Sequence, residues 1–165
     1  MAQTFELRGG NLDFMKYRGP EICLVGMAGS GKTVAGLLKM HLRALSVPGY
    51  RGAILRQTHT SLTSSTLASF EALIVREAMA EGFVKWFGGS GRMPPAYRYN
   101  NGSVIIVGGL DQPGKLLSVE LTDALVDEAV QISNTAYETV SSRLRHSSPT
   151  YKQMITLTNP SHPSH

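Results

Sequence analysis

The stretch Gly26-Met27-Ala28-Gly29-Ser30-Gly31-Lys32-Thr33 follows the spacing G-x-x-x-x-G-K-[ST], which binds phosphate. Glycines let the backbone wrap so that successive N–H groups point at one anion. Lys32 offers a point charge to the outer phosphates, and Thr33 a hydroxyl to Mg²⁺. A helix starting there adds its positive end. At ordinary residue frequencies a random chain of this length matches on the order of one time in 200. A second cluster is Leu125-Val126-Asp127-Glu128. An apolar strand ending in Asp127 sets a carboxylate beside the loop, where it can hold the Mg²⁺ shell. Glu128, the next residue, has the type and place of a general base acting on a water. Thr158 and Asn159 close a third apolar strand. There they can sense a γ-phosphate and pass its loss to a moving part. A plain Asn-Pro turn explains the same pair equally well.

These groups work only if the chain between them supplies the elements that hold them. Glu21 to Val25 reads as a buried strand entering the loop, with Cys23 as a small core residue. Val34, Leu37, Leu38, Leu42 and Leu45 recur at helical spacing and predict one apolar face, ending at the breaker cluster Ser46 to Gly49. Gly52 to Arg56 is a second buried strand. Its carboxyl end carries Arg56, followed by Gln57 and His59, where open α/β sheets bind ligands, although an ordinary loop is the default for all three. Thr60 to Ser65 suits a helix start, Leu67, Phe70, Ile74 and Ala78 give an apolar face, and Gly82 is a C-terminal cap. A short strand is expected over Phe83 to Phe87. Tyr97-Arg98-Tyr99, Asn100-Asn101-Gly102 and Ser103 to Val107 form a hairpin pattern. Thr135 to Glu138 matches a capping box, and Gln153 to Thr158 is the last strand, expected between the first strand and the Asp127 strand. Tyr17 and Arg18, just before the first strand, can cover an adenine by stacking and cation–π contact. A surface lead-in fits them as well.

The 165 residues suffice for one domain with a core, and apolar residues at 42% against charged residues at 17% favour a folded chain over disorder. No apolar run approaches the ~20 residues of a membrane span. Met1 to Phe14 lacks the apolar centre of a signal peptide, and the one cysteine permits no internal disulfide. The net charge of +4 is compatible with a nucleic-acid partner, yet the basic residues form no run and suit a solvated surface better. His162 and His165 have no Cys, Asp or Glu beside them, so metal binding there is not expected.

Taken together, the chain resembles the ATPase domain of the large terminase subunit of tailed phages, a DNA-packaging motor. The resemblance rests on Gly26 to Thr33 as Walker A, Leu125-Val126-Asp127-Glu128-Ala129 as Walker B, and Thr156-Leu157-Thr158-Asn159-Pro160 as coupling motif. It implies a three-layer α/β/α P-loop fold of the additional-strand, conserved-glutamate type, with a mainly parallel sheet carrying an antiparallel hairpin insert. It implies ATP and Mg²⁺ as cofactors, Lys32 and Glu128 as catalytic residues, and residues 26 to 33 on the nucleotide. It also implies double-stranded DNA, a portal protein and a small terminase subunit as partners, a homo-oligomeric ring, and action at the procapsid portal in the host cytoplasm. The sequence departs from the family twice. Many terminases carry an arginine inside Walker A where this chain has Met27 and Ala28, so a charge-stabilising arginine must come from elsewhere. Arg143 and Arg145, offered in trans by a ring neighbour, are candidates, with Lys115 a weaker substitute and helix-end charge the plain alternative. The family's nuclease domain needs clustered carboxylates. The only Asp residues are Asp13, Asp111, Asp123 and Asp127, and no acidic residue follows Glu138. The expectation is therefore one ATPase domain over residues 1–165, incomplete at its C-terminus, without the nuclease. Competing readings are another P-loop ATPase of RecA-like or helicase-like type, a small-molecule kinase, and a nucleotide binder without turnover.

Overall fold

The protein is described from a computed structural model covering residues 5–7, 9–111, 116, 118–147 and 150–160. Seven strands form one sheet in the order β1-β7-β6-β2-β5-β4-β3. They are β1 (Glu21–Val25), β2 (Arg51–Arg56), β3 (Val84–Phe87), β4 (Ala96–Tyr99), β5 (Val104–Gly109), β6 (Asp123–Val126) and β7 (Gln153–Thr158). The strands from β1 through β5 in that order pair in parallel, and β4 and β3 add antiparallel strands beyond β5. The sequence-derived hairpin is therefore present, and β7 lies between β1 and β6 as expected. Near-continuous burial along β2, β5, β6 and β7 follows from helices on both faces.

One face is covered by α1 (Gly10–Lys16), α2 (Lys32–Ser46) and a helical stretch over residues 59–80. That stretch opens as α3 (His59–Ser61), makes π-helical turns at Leu62–Leu67 and Phe70–Val75, and ends as α4 (Arg76–Ala80). Phe14, Leu37, Met40, Phe70, Tyr97 and Ile155 build the core there. The other face packs Leu55, Ile106, Leu121, Val126 and Met154 against Val140 of α5 (Asn134–Ser141). α2 approaches the sheet closely at Gly36, where a Cβ would lie 2.7 Å from Leu125 Cδ1, so that position accepts no side chain without a shift. Among the described residues no helix is long and apolar enough to cross a membrane.

Three local expectations are corrected. Cys23 is exposed, not in the core, because β1 is the outermost strand among the described residues and turns only Ile22 and Leu24 toward the core. The buried side of α2 is Ala35, Leu37, Met40 and Ala44, whereas Leu42 and Leu45 are exposed. The helix instead buries Lys39, His41 and Arg43, whose polar atoms find partners far along the chain: Phe14 O and Tyr17 O, the Tyr99 hydroxyl, and Asp123. An apolar count cannot see such pairings. Finally, α5 is capped by Ser133, whose hydroxyl accepts from the Ala136 N–H at 3.2 Å, and not by a box starting at Thr135.

Candidate active site

The phosphate-binding motif folds as a loop between β1 and α2. Gly29 and Gly31 take φ of +79° and +80°, a left-handed turn that other residues resist, and Gly31 caps α2. Lys32 is buried and folds back over the loop. Its ammonium donates to Gly26 O at 2.6 Å, Met27 O at 2.9 Å, Ser30 Oγ at 3.3 Å and Asn159 Oδ1 at 3.0 Å. Parallel pairing of β1 with β7 brings the loop and Asn159 together, and Gly26 N–H donates to Thr158 O at 3.2 Å. The lysine thus sits among oxygen acceptors that phosphate oxygens can replace.

Strand β6 delivers Asp127 to the same place. Thr33 Oγ1 donates to Asp127 Oδ1 at 3.4 Å, and Thr66 Oγ1, from the first π-helical turn, donates to Asp127 Oδ2 at 2.6 Å. The hydroxyl and carboxylate that a Mg²⁺ ion needs therefore face each other, and oxygen donors of this kind suit it. No cluster of three His, Cys, Asp or Glu occurs among the described residues, and a cation held by Thr33 and Asp127 would need its remaining ligands from phosphate and water.

Glu128 follows with φ 53° and ψ 48°, a left-handed conformation unfavourable for a residue with a side chain. That backbone turns its carboxylate toward Arg56, with which it forms an ion pair, while Gln131 Nε2 donates to the other oxygen at 2.8 Å. The Arg56 guanidinium holds the Glu128 carboxyl below the usual carboxylate range, despite an opposing push from burial. Arg56 is itself anchored by Ser61 O at 2.9 Å and by the Ser65 hydroxyl. A cavity of about 380 Å³ collects Lys32, Thr33, Arg56, Thr66, Asp127, Glu128, Thr158 and Asn159, with Ala28 to Gly31 at its wall.

The remaining candidates lie elsewhere. Tyr17 lines a second hollow with Asn11, Cys23, Ser30 and Lys32, on the α1 side of β1, and Arg18 lines neither hollow. Arg143 and Arg145 follow α5 and run beside Leu121, before β6, at the opposite end of the sheet from the loop. Arg145 pairs there with Glu120 at 3.1 Å. Neither arginine reaches this chain's own cavity. Lys115 falls outside the described residues, as do His162 and His165. Sequence reasoning underrated Arg56, although its place at a strand's carboxyl end was the available signal. It missed Thr66, which carries no motif and is found only by the fold.

The family model described as phage terminase large subunit matches residues 21–165. The chain belongs to that family. Like it is the PBSX phage terminase large subunit of Bacillus subtilis (strain 168), 30% identical over 139 residues, which span 83% of this chain and 30% of that protein. This terminase chain thus spans about a third of its curated relative. Its fold is that of the large terminase of the thermophilic bacteriophage D6E, with TM-score 0.70 at 13% identity over 92% of this chain and 36% of that one. The D6E protein is also solved with ATP-gamma-S and with ADP. The large terminase ATPase domain of Thermus phage P74-26 is similar too, with TM-score 0.67 at 17% identity over 97% of this chain and 68% of that one.

Proposed function

We propose that this chain is the ATP-hydrolysing motor domain of a terminase large subunit, coupling hydrolysis to movement of double-stranded DNA into a capsid. The observation that carries the reading is the joining of three groups in one cavity: Lys32 on Asn159, Thr33 on Asp127, and Glu128 held by Arg56. In this reading the phosphates of ATP settle on the N–H groups of residues 26 to 33 and draw Lys32 off the loop carbonyls. Thr33 and Asp127 would hold a Mg²⁺ ion, which would supply positive charge against that of the phosphates. As the water oxygen bonds to the γ-phosphorus, Glu128 takes its proton, the bond from that phosphorus to the β–γ bridging oxygen breaks, and ADP leaves with the electron pair. The Arg56 pair keeps Glu128 ionised but weakens it as a base, so departure of the guanidinium switches the base on. Asn159 registers the exchange, because its bond to Lys32 competes with the γ-phosphate. Thr158 then passes the change along β7.

The same reading places the chain in a homo-oligomeric ring with a portal protein and a small terminase subunit, at the procapsid portal in the host cytoplasm. Arg143 and Arg145 act there only in trans, on a neighbour's phosphates. Tyr17, whose hollow shares Ser30 and Lys32 with the cavity, would flank the adenine, whereas Arg18 lines neither hollow. The test is ATP turnover with and without duplex DNA and portal protein. Stimulation by both is the expected result. A chain that binds ATP and never hydrolyses it contradicts the proposal.

A further inference from the structure

The sheet registers place a row of cations along its opposite rim. Lys85 of β3 pairs with Arg98 of β4, Arg98 with Val104 of β5, and Val104 with Arg51 of β2. Directly paired residues share a face, so Lys85, Arg98 and Arg51 all point to the α5 side, and all three are exposed. The row continues through Thr122, which exchanges backbone hydrogen bonds with Arg51 and Gln153, toward Lys152. His146 lies against Thr122 at 3.4 Å, and its imidazole is held below its ordinary range by burial and by the charges of Arg51 and Lys152, against an opposing Glu120. Arg92 joins the row: it shares a hollow of about 240 Å³ with Arg51 and Arg98, floored by Val104 and Ile106. At ~4.8 Å between strands, the steps from β3 to β7 span roughly 24 Å.

Four of these cations have no acidic partner: among the described residues no carboxylate pairs with Arg51, Lys85, Arg92 or Arg98. Glu120, the acidic group nearest the row, is engaged by Arg145 at 3.1 Å. Glu21, on the same sheet face at the far strand, bonds Tyr137. We infer that this rim is a docking surface for the phosphate backbone of duplex nucleic acid, read without sequence preference. Arginine suits phosphate because its planar fork binds two oxygens at once. Single strands would need bare aromatic faces on which bases stack. Beside the row, Phe87 is covered by the Arg98 guanidinium at 3.8 Å, and Phe83 stands exposed as a single ring, not the series of faces that successive bases need. The surface lies at the end of the sheet away from the nucleotide cavity, so DNA and ATP do not compete for space.

The inference rests on the DNA-moving reading, and one pair of measurements separates the two. Fluorescence anisotropy of a labelled random-sequence duplex is followed across a salt series, for the wild type, Arg51→Ala/Arg98→Ala and Arg51→Lys/Arg98→Lys. ATP turnover is measured on the same samples. Four phosphate contacts give a slope of log affinity on log salt of about −3.6, and two give about −1.8. Between about 50 and about 200 mM salt the wild type should then lose affinity about 150-fold and the alanine pair about 12-fold. The lysine pair should retain the wild-type slope, and turnover without DNA should be equal in all three. Equal slopes and affinities in wild type and alanine pair overturn the surface and leave the motor reading standing. So does a wild-type chain that hydrolyses ATP and binds no duplex, or prefers a single strand of the same length.

Discussion

The two ends of the sheet treat charge in opposite ways. At the carboxyl ends of the parallel strands, Lys32 and Arg56 are folded onto Asn159, loop carbonyls and Glu128, and Asp127 is bonded by two threonines. Each group there is held by another, and a ligand would have to displace a partner. At the amino ends, Arg51 and Arg98 stand at strand spacing with no carboxylate partner among the described residues. Converging, mutually paired groups suit chemistry that must wait for its substrate. Cations laid out in a row suit a polyanion that passes by.

The comparison breaks most severely at Lys32. Lys32→Ala removes the cation facing the outer phosphates, a loss of about 3 kcal/mol, so ATP affinity by calorimetry should fall about a hundredfold or more. Duplex binding at the far rim should be unchanged. Unaltered ATP affinity would refute the phosphate-binding assignment. Arg56→Ala sharpens the same contrast with a smaller effect. Without the guanidinium the Glu128 carboxyl returns upward toward the ordinary range. If Glu128 is the base, the acidic limb of the turnover–pH profile moves to higher pH, whereas an unmoved limb detaches Glu128 from catalysis.

A third effect, on stability and not on turnover, lies in the core between the ends. Burial holds the His41 imidazole down to about 4 from 6.5. The unfolded chain takes up that proton near pH 6.5 and the native chain only near 4. Stability from the neutral imidazole is thus complete above 6.5 and is lost as pH falls toward 4. Urea midpoints should drop over that window, and drop less in His41→Gln. Parallel curves for the two proteins would contradict it.

Much of this was legible in the sequence where a signal is local. The bounds of β1 and β7 follow from apolar runs closed by Gly26 and Asn159, and the β4–β5 hairpin from Asn-Asn-Gly. The loop, Asp127 and Glu128 announce themselves by type and spacing. What the sequence hid is set by partners distant along the chain. Lys39, His41 and Arg43 look like a solvated face until Tyr17, Tyr99 and Asp123 arrive. Cys23 looks buried until its strand proves outermost. The scattered arginines form no run, yet the register aligns Arg51 and Arg98 across three strands.

The most direct measurement is single-turnover hydrolysis of Mg·ATP by Glu128→Gln, beside ATP affinity by calorimetry. Glutamine keeps the side chain's size and its hydrogen bonding to Gln131 but cannot take a proton. Affinity close to wild type, with hydrolysis slowed about 100- to 10,000-fold, is the expected result. Turnover near the wild-type rate at intact affinity would contradict an ATPase built around Glu128.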